Sequence, residues 1–244
     1  MLEAVGAVPR AAFVPPEVAD RADEDRPLPI PQGQVTTQPS LVARMIEALE
    51  LSGGERVLEV GTGYGWQTAL LARLACEVWS VERFADVADT ARQNLRRQGV
   101  ERTHVVVGDG TEGLVEHQPF GGILVAAAFP RVPPPLAEQL RKGGRLVMPI
   151  GPGGRDNVVQ FVKTGDLLLR GRDVIPAYFV RLVGRHGGAG LAEDPWKYSG
   201  AEGQQRAHRP ARYRRIASLR VNCRHSFQGS KPSERSGVFL RRDR

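Results

Sequence analysis

Short unbroken apolar runs alternate along this chain with stretches where apolar positions recur at helical spacing. Pro39 opens a helix carrying Leu41, Val42, Met45, Ile46 and Leu49 on one face. Val57–Val60 reads as a buried strand, and a helix with Ala69, Leu70, Leu71, Ala72 and Leu74 follows. Further strands are expected at Val78–Glu82, His104–Asp109, Phe120–Ala128 and Arg145–Ile150, with helices over 84–98 and 133–140 between them. Phe120–Ala128 is apolar throughout, which places it in the middle of a sheet. Asn157–Val162 and Leu167–Arg170 flank the turn Thr164-Gly165-Asp166, and Ala177–Val183 reads as a last strand. The pattern predicts an α/β fold: a doubly wound, mostly parallel sheet with an antiparallel C-terminal hairpin. The first fifty residues are broken by proline and read as an irregular wrap, extended over Asp25–Pro31 and looped over Gly33–Pro39. The expected division is an N-terminal substrate or lid segment (1–50), a central domain (51–185) and a C-terminal extension (186–244).

Between the first core strand and its helix lies Gly61-Thr62-Gly63-Tyr64-Gly65-Trp66. Glycines between a strand and a helix allow positive φ and let a ligand approach the main chain. The spacing is G-x-G-x-G, whereas the dinucleotide fingerprint is G-x-G-x-x-G. Glu59, two residues before the first glycine, would repel a pyrophosphate but suits a cationic amino-acid ligand. Glu82 closes the next strand about 20 residues on, where an acid can hold ribose hydroxyls. The combination resembles the S-adenosyl-L-methionine (SAM) site of Rossmann-like methyltransferases; an NAD site or a purely structural turn are the alternatives.

Composition alters this picture in one place. The net charge of +7 is unevenly spread. Residues 205–244 hold 12 Arg/Lys against 2 Asp/Glu, a charge of +10, which leaves −3 for the rest. The Arg-rich tail reads as disordered, with attraction to an acidic peptide or to nucleic acid as its functional reading. Its aromatics are too sparse for a stacking groove, so nucleic acid is a weak expectation. No apolar run approaches the roughly 20 residues that span a bilayer, and no signal-peptide pattern opens the chain. Cys76 and Cys223 stand far apart and suggest neither a disulfide framework nor a metal site, which makes a cytoplasmic location the default. The five His lack metal-ligand spacing and a Ser/His/Asp order.

The stretches VPRAAFVPPE, EDRPLPIPQGQVTTQP, RVLEVGTGYGWQTALLA, VWSVER, VVVGDGTEG, GGRLVMPIG and YFVRLV together resemble the protein-L-isoaspartate O-methyltransferase family over residues 8–185. The resemblance implies SAM-dependent methyl transfer to the carboxylate of an altered aspartyl residue in a protein or peptide, and so protein repair. It implies that Glu59, Gly61, Thr62 and Gly63 line the methionine part of SAM. Glu82 would take the ribose hydroxyls, and Asp109 and Gly110 would border the adenine. The loop from Gln34 to Pro39 would lie over the methyl group. Within it Thr37 would be the catalytic hydroxyl, with Gln34, Thr36, Gln38, Pro39 and also Ala127 toward the substrate. No metal is implied. Three departures bear on substrate range: Thr37 stands where the family has Ser, Tyr64 and Trp66 where Ser and Tyr are usual, and Ala126 where Thr is usual.

The chemistry suits these residue types. A sulfonium donor and a carboxylate acceptor lose their charges together in the transition state, so a water-poor site favours the reaction. The acceptor is ionised near neutral pH, so a general base is unnecessary. The protein must align oxygen, methyl and sulfur, and positioning alone can contribute about 7–11 kcal/mol. Trp196-x-x-x-Gly200 resembles a feature of family members that act in ribosomal-peptide biosynthesis. With Thr37 this resemblance implies an alternative reading, a tailoring enzyme that esterifies an ordinary Asp of a ribosomally made peptide. A non-catalytic SAM- or peptide-binding module is the rival of another class, and the intact Gln34–Pro39 loop argues against it.

Overall fold

Strand β3 (Arg56–Val60) is buried along all but its first residue, which is what a strand covered on both faces requires. In the computed structural model, which describes residues 1–188 apart from 153, β3 sits within a seven-stranded sheet. Before it come helix α1 (Leu2–Ala7), two short 3-10 helices (Arg10–Phe13 and Pro16–Arg21), a small hairpin of β1 (Leu28–Ile30) and β2 (Gln34–Thr36), and helix α2 (Pro39–Glu47). After it come α3 (Trp66–Ala72), β4 (Glu77–Glu82), α4 (Ala85–Arg97), β5 (Thr103–Val107), β6 (Phe120–Val125), α5 (Pro134–Gln139), β7 (Leu140–Ile150), β8 (Gly154–Thr164) and β9 (Leu167–Phe179).

The sheet order is β5-β4-β3-β6-β7-β8-β9. The first five of these strands pair in parallel, while β7–β8 and β8–β9 are antiparallel. The chain winds outward from β3 through β4 to β5, then returns to β6 and winds the other way. The carboxyl ends of β3 and β6 therefore flank the switch point, where open α/β sheets bind ligands. One face packs Val57, Val78 and Leu124 against Met45 and Ile46 of α2 and Leu70 and Leu71 of α3. The other packs Leu58, Ile123 and Met148 against Leu136 of α5. Each such fully buried aliphatic side chain contributes roughly 1.5–3 kcal/mol. Among the described residues, no helix is long and apolar enough to cross a membrane.

The doubly wound sheet, its central β6 and its antiparallel C-terminal edge follow the pattern of apolar positions. Three details depart from it. The loop expected over Gly33–Pro39 supplies β2, because Gln32 and Gly33 both adopt positive φ (62° and 64°) and turn the chain back on β1. No separate strand begins at Ala177. Strand β9 runs on to Phe179, pairing with β8 as far as Gly154, and register shifts near Val159 absorb its curvature. Residues 181 and 183 then make only isolated bridges. Strand β7 begins at Leu140, where helix was expected, with a register break before Arg145. The readings placed on Trp196–Gly200, on Cys223 and on the basic tail lie outside the described residues.

Candidate active site

The site begins where β3 runs out of ladder. Gly61 donates to Val81 O at 2.9 Å and Ala126 donates to Val60 O at 2.8 Å, so the ends of β3, β4 and β6 meet at one point. Gly61, Gly63 and Gly65 take φ of 95°, 55° and 94°, and Gly65 precedes α3. A Cβ on Gly61 would stand 3.3 Å from Ala126 Cβ, so the glycine keeps open the space between the two strand ends.

Glu59 lies beneath this turn with no solvent exposure. Its carboxylate accepts from Gln67 Nε2 at 2.8 Å, Thr68 Oγ1 at 2.5 Å and Ser80 Oγ at 2.6 Å. Thr62 Oγ1 and Ser80 Oγ share a further bond at 2.6 Å, which links the glycine turn to Glu59 through Ser80. Burial pushes Glu59 up to about 7, with the Glu82 charge adding to the rise while the three hydrogen bonds oppose it. A cation bound above it would draw it back toward the ionised form. Glu82 ends β4 and accepts from Gly63 N at 3.0 Å and Phe84 N at 3.2 Å. A carboxylate has lone pairs beyond these two bonds, enough for a pair of hydroxyls.

Asp109 follows β5 and is engaged by the end of the body. It accepts from Thr111 N at 2.8 Å, Thr111 Oγ1 at 2.7 Å and Arg185 N at 2.6 Å. Partial burial would raise its pKa, but the bonds from Arg185 and Thr111 outweigh that and hold it below the usual range. Gly184 passes so near that a Cβ there would stand 2.0 Å from Asp109 Oδ1. Gly110 packs on Val60, with a virtual Cβ 2.4 Å from Val60 Cγ1. Ala127 is buried beyond the end of β6, beside Ala128, which exchanges backbone bonds with Val180 and Leu182. A cavity of about 150 Å³ lies there, lined by Ala128, Phe129, Pro130, Arg181 and Leu182 among others. A larger one, about 350 Å³, lies away from these carboxylates, beside Val8, Ala69 and Arg102.

The hairpin β1–β2 is seated on the glycine turn. Ile30 Cδ1 would be 3.6 Å from a Cβ on Gly63, and Gln32 Nε2 donates to Asp86 Oδ2 of α4 at 2.8 Å. Of the loop residues, Thr36 is buried and its hydroxyl accepts from Arg10 at 2.6 Å. Thr37 is half-buried, and its carbonyl also accepts from Arg10. Its hydroxyl makes no hydrogen bond among the described residues. Gln38 Nε2 donates to Asp25 Oδ2 and Ser40 Oγ, both at 3.0 Å, while Ser40 N donates to Asp25 Oδ1 at 2.8 Å. Asp25 thereby fixes Pro39 and the start of α2. Gln34 Nε2 turns outward to Gln32 O at 3.0 Å.

The structure thus brings Glu59, Gly61, Thr62, Gly63 and Glu82 into one bonded cluster, with the hairpin that leads to Thr37 against it. Asp109 and Gly110 stand at the next strand end. Arg10, Asp25, Gln67, Thr68 and Ser80 are the residues that sequence reasoning missed. A polar Ser80 within an otherwise apolar strand and an arginine inside Val-Pro-Arg-Ala-Ala-Phe are the signals that could have found two of them.

Comparison with known proteins agrees with this arrangement. The family model for protein-L-isoaspartate(D-aspartate) O-methyltransferase matches residues 1–187. The chain is 50% identical over 194 residues to the protein-L-isoaspartate O-methyltransferase of Methanoculleus marisnigri, covering 78% of this chain and 86% of that one. It is 52% identical over 185 residues to the enzyme of the same name from Anaeromyxobacter dehalogenans strain 2CP-1, covering 75% and 88%. A solved protein-L-isoaspartate O-methyltransferase superposes with a TM-score of 0.68 at 30% identity, over 76% of this chain and 61% of that chain. A Plasmodium falciparum protein solved with S-adenosyl-L-homocysteine shares the fold, with a TM-score of 0.61 at 22% identity over 74% and 88%. With a switch-point crevice, a G-x-G-x-G turn between Glu59 and Glu82, and this likeness over most of its length, the chain belongs to the protein-L-isoaspartate O-methyltransferase family.

Proposed function

We propose that the crevice between the ends of β3 and β6 holds SAM and that the segment Gln34–Pro39 brings the acceptor carboxylate to it. The enzyme is a SAM-dependent protein-L-isoaspartate O-methyltransferase, and its activity serves protein repair. The residue roles within that activity are the proposal. The cofactor supplies the methyl group as a sulfonium. Glu59 sets a negative field under the methionine part, and its buried bonds to Ser80, Thr68 and Gln67 hold Gly61, Thr62 and Gly63 in the shape that receives it. Glu82 offers its remaining lone pairs to ribose hydroxyls, and Asp109 and Gly110 border the base. Glycine at 61 keeps the gap to Ala126 open for a ligand lying close to the main chain, while glycine at 110 lets that turn pack directly on Val60.

Thr37 donates its hydroxyl to the acceptor carboxylate. A neutral donor orients the oxygen without protonating it, so its nucleophilicity survives. Gln34, Thr36, Gln38 and Pro39 shape the loop around it, and Ala127 bounds the acceptor from the β6 side. Neutralisation of the two reacting charges proceeds best where water is thin, and the hairpin that roofs the glycine turn supplies that cover. The observation that supports this reading is the seating of Ile30 over Gly63, at van der Waals distance from where a Cβ would stand, together with the Gln32–Asp86 bond.

Damaged proteins bearing isoaspartate are the proposed substrates, and the cytoplasm the proposed location. Mass spectrometry of an isoaspartyl peptide and its normal-Asp twin, each incubated with SAM, tests the reading. One added methyl group on the isoaspartyl peptide alone, followed by loss of methanol, is the expected result. Methylation of the normal twin alone would overturn it in favour of a peptide-tailoring enzyme, and SAM binding without any methyl ester would leave only a binding module.

A further inference from the structure

We infer that Arg10 is a positioning residue of the methyl-transfer reaction, a buried fork that fixes the acceptor loop relative to the glycine turn. The inference rests on the reading of Thr37 given above. Arg10 is 5% exposed, yet its five hydrogen bonds among the described residues all go to neutral oxygens. Nη1 donates to Ala22 O at 3.2 Å and Glu24 O at 3.1 Å. Nη2 donates to Arg26 O at 2.9 Å, Thr36 Oγ1 at 2.6 Å and Thr37 O at 3.2 Å. The guanidinium carbon also stands 5.6 Å from the centroid of the Trp66 ring, and Trp66 Nε1 donates to Val8 O at 3.1 Å. Trp66 is the first residue of α3, directly after the glycine turn.

One side chain therefore ties together three segments that the sequence keeps apart: the approach to β1, the exit from β2 and the start of α3. Burial of a cation is costly, and burial lowers the Arg10 pKa to about 10, with Asp25 and Glu24 opposing the fall. The group remains charged at neutral pH even so. Packing alone would be better served at this position by an apolar side chain, because a buried ion contributes little net stability. A planar fork with five donors does what no apolar residue can: it fixes both the Thr36 hydroxyl and the Thr37 carbonyl at once. The Thr37 hydroxyl is left for the acceptor, and its direction is set by the peptide groups that Arg10 holds. Both Nη groups are spent on the protein, and the buried Nε has no partner among the described residues. Buried in this way, Arg10 acts through Thr37 and does not touch substrate.

The test compares the full-length wild-type chain with Arg10→Lys and Thr36→Val. It reads kcat and KM for an isoaspartyl peptide, affinity for S-adenosyl-L-homocysteine by calorimetry, and folding by circular dichroism. Lysine keeps the charge and loses the fork. Arg10→Lys is expected to lower kcat/KM for the peptide by on the order of 10²-fold, the scale of a displacement of about 1 Å. Affinity for S-adenosyl-L-homocysteine is expected to change by less than about twofold, because Arg10 makes no hydrogen bond to Glu59, Glu82 or the glycine turn. Thr36→Val removes one acceptor and leaves the guanidinium in place. It should show the same split, smaller, and it carries the test should Arg10→Lys not fold. Unchanged peptide kinetics in a folded variant would overturn the inference. So would a fall in S-adenosyl-L-homocysteine affinity parallel to the fall in kcat/KM, which would mark a general loosening. A wild-type chain that leaves the isoaspartyl peptide unmodified would instead sink the functional reading itself.

Discussion

The floor of the site and its roof are held in different ways. The floor, from Glu59 to Glu82, grows out of adjacent core strands, and its bonds run between β3, β4 and α3. The roof, from Leu28 to Pro39, forms a two-stranded hairpin outside the main sheet. It depends on Arg10, Asp25 and Gln32 for its place. A two-stranded hairpin is marginal by itself, so such contacts decide where it sits. On the proposed residue roles, the floor couples cofactor affinity to the stability of the whole sheet. The roof permits the acceptor geometry to change while the sheet stays intact.

Damage to the floor should give the largest effects. Gly61→Val places a branched side chain at φ 95° against Ala126. Strain of about 1–3 kcal/mol and the lost space should weaken binding of S-adenosyl-L-homocysteine by on the order of 10²-fold, read by calorimetry. Retention of wild-type affinity would show that the turn is not the cofactor seat.

The charge state of the floor comes next. Burial pushes Glu59 up to about 7 in the folded chain, from 4.5 for an ordinary glutamate. Between those values the folded chain holds a proton that the unfolded chain lacks, so Glu59 makes stability fall as pH rises. The wild type should lose about 3 kcal/mol relative to Glu59→Gln between pH 4.5 and pH 8, measured by urea unfolding. Asp25, Glu55 and Asp109 shift downward and act in the opposite sense, with stability lost as pH falls through their folded values. The comparison with Glu59→Gln isolates the contribution of Glu59 from theirs. A difference between the two proteins that stays constant with pH would refute the assignment.

Two neighbouring threonines separate support from chemistry within the roof. Thr36→Val takes one of three acceptors from the buried Arg10 Nη2 and should cost about 1–3 kcal/mol of stability in thermal unfolding. Thr37→Val removes a hydroxyl that bonds to nothing among the described residues, so its stability should move by less than about 0.5 kcal/mol. Its turnover of an isoaspartyl peptide should nonetheless drop by roughly 10–100-fold. Equal stability losses for the two variants would erase the distinction. The smallest effect belongs to Gln32→Ala, which removes an exposed bond to Asp86 and should shift stability by about 0.5 kcal/mol or less.

How much of this was legible follows from the range of each interaction. The strand before Gly61, the acid at Glu82 and the central β6 could be read because apolar runs and glycine spacing are local properties. The hairpin β1–β2 could not, since its turn uses positive φ at Gln32, a residue with no special propensity for it. Asp109 was assigned to a ligand, and the structure shows its carboxylate also holding Arg185, 76 residues away.

The order of apolar and polar residues was sufficient to specify a parallel sheet with a glycine crevice at its centre and an antiparallel edge, because burial acts on each element by itself. Tertiary structure alone decided which polar groups meet across that crevice. Arg10 binds oxygens 12 to 27 residues away, and no periodicity encodes a partner at such a distance. The proposed cofactor seat was thus written in a few consecutive residues, while the geometry proposed for the acceptor emerged only once the chain had closed on itself.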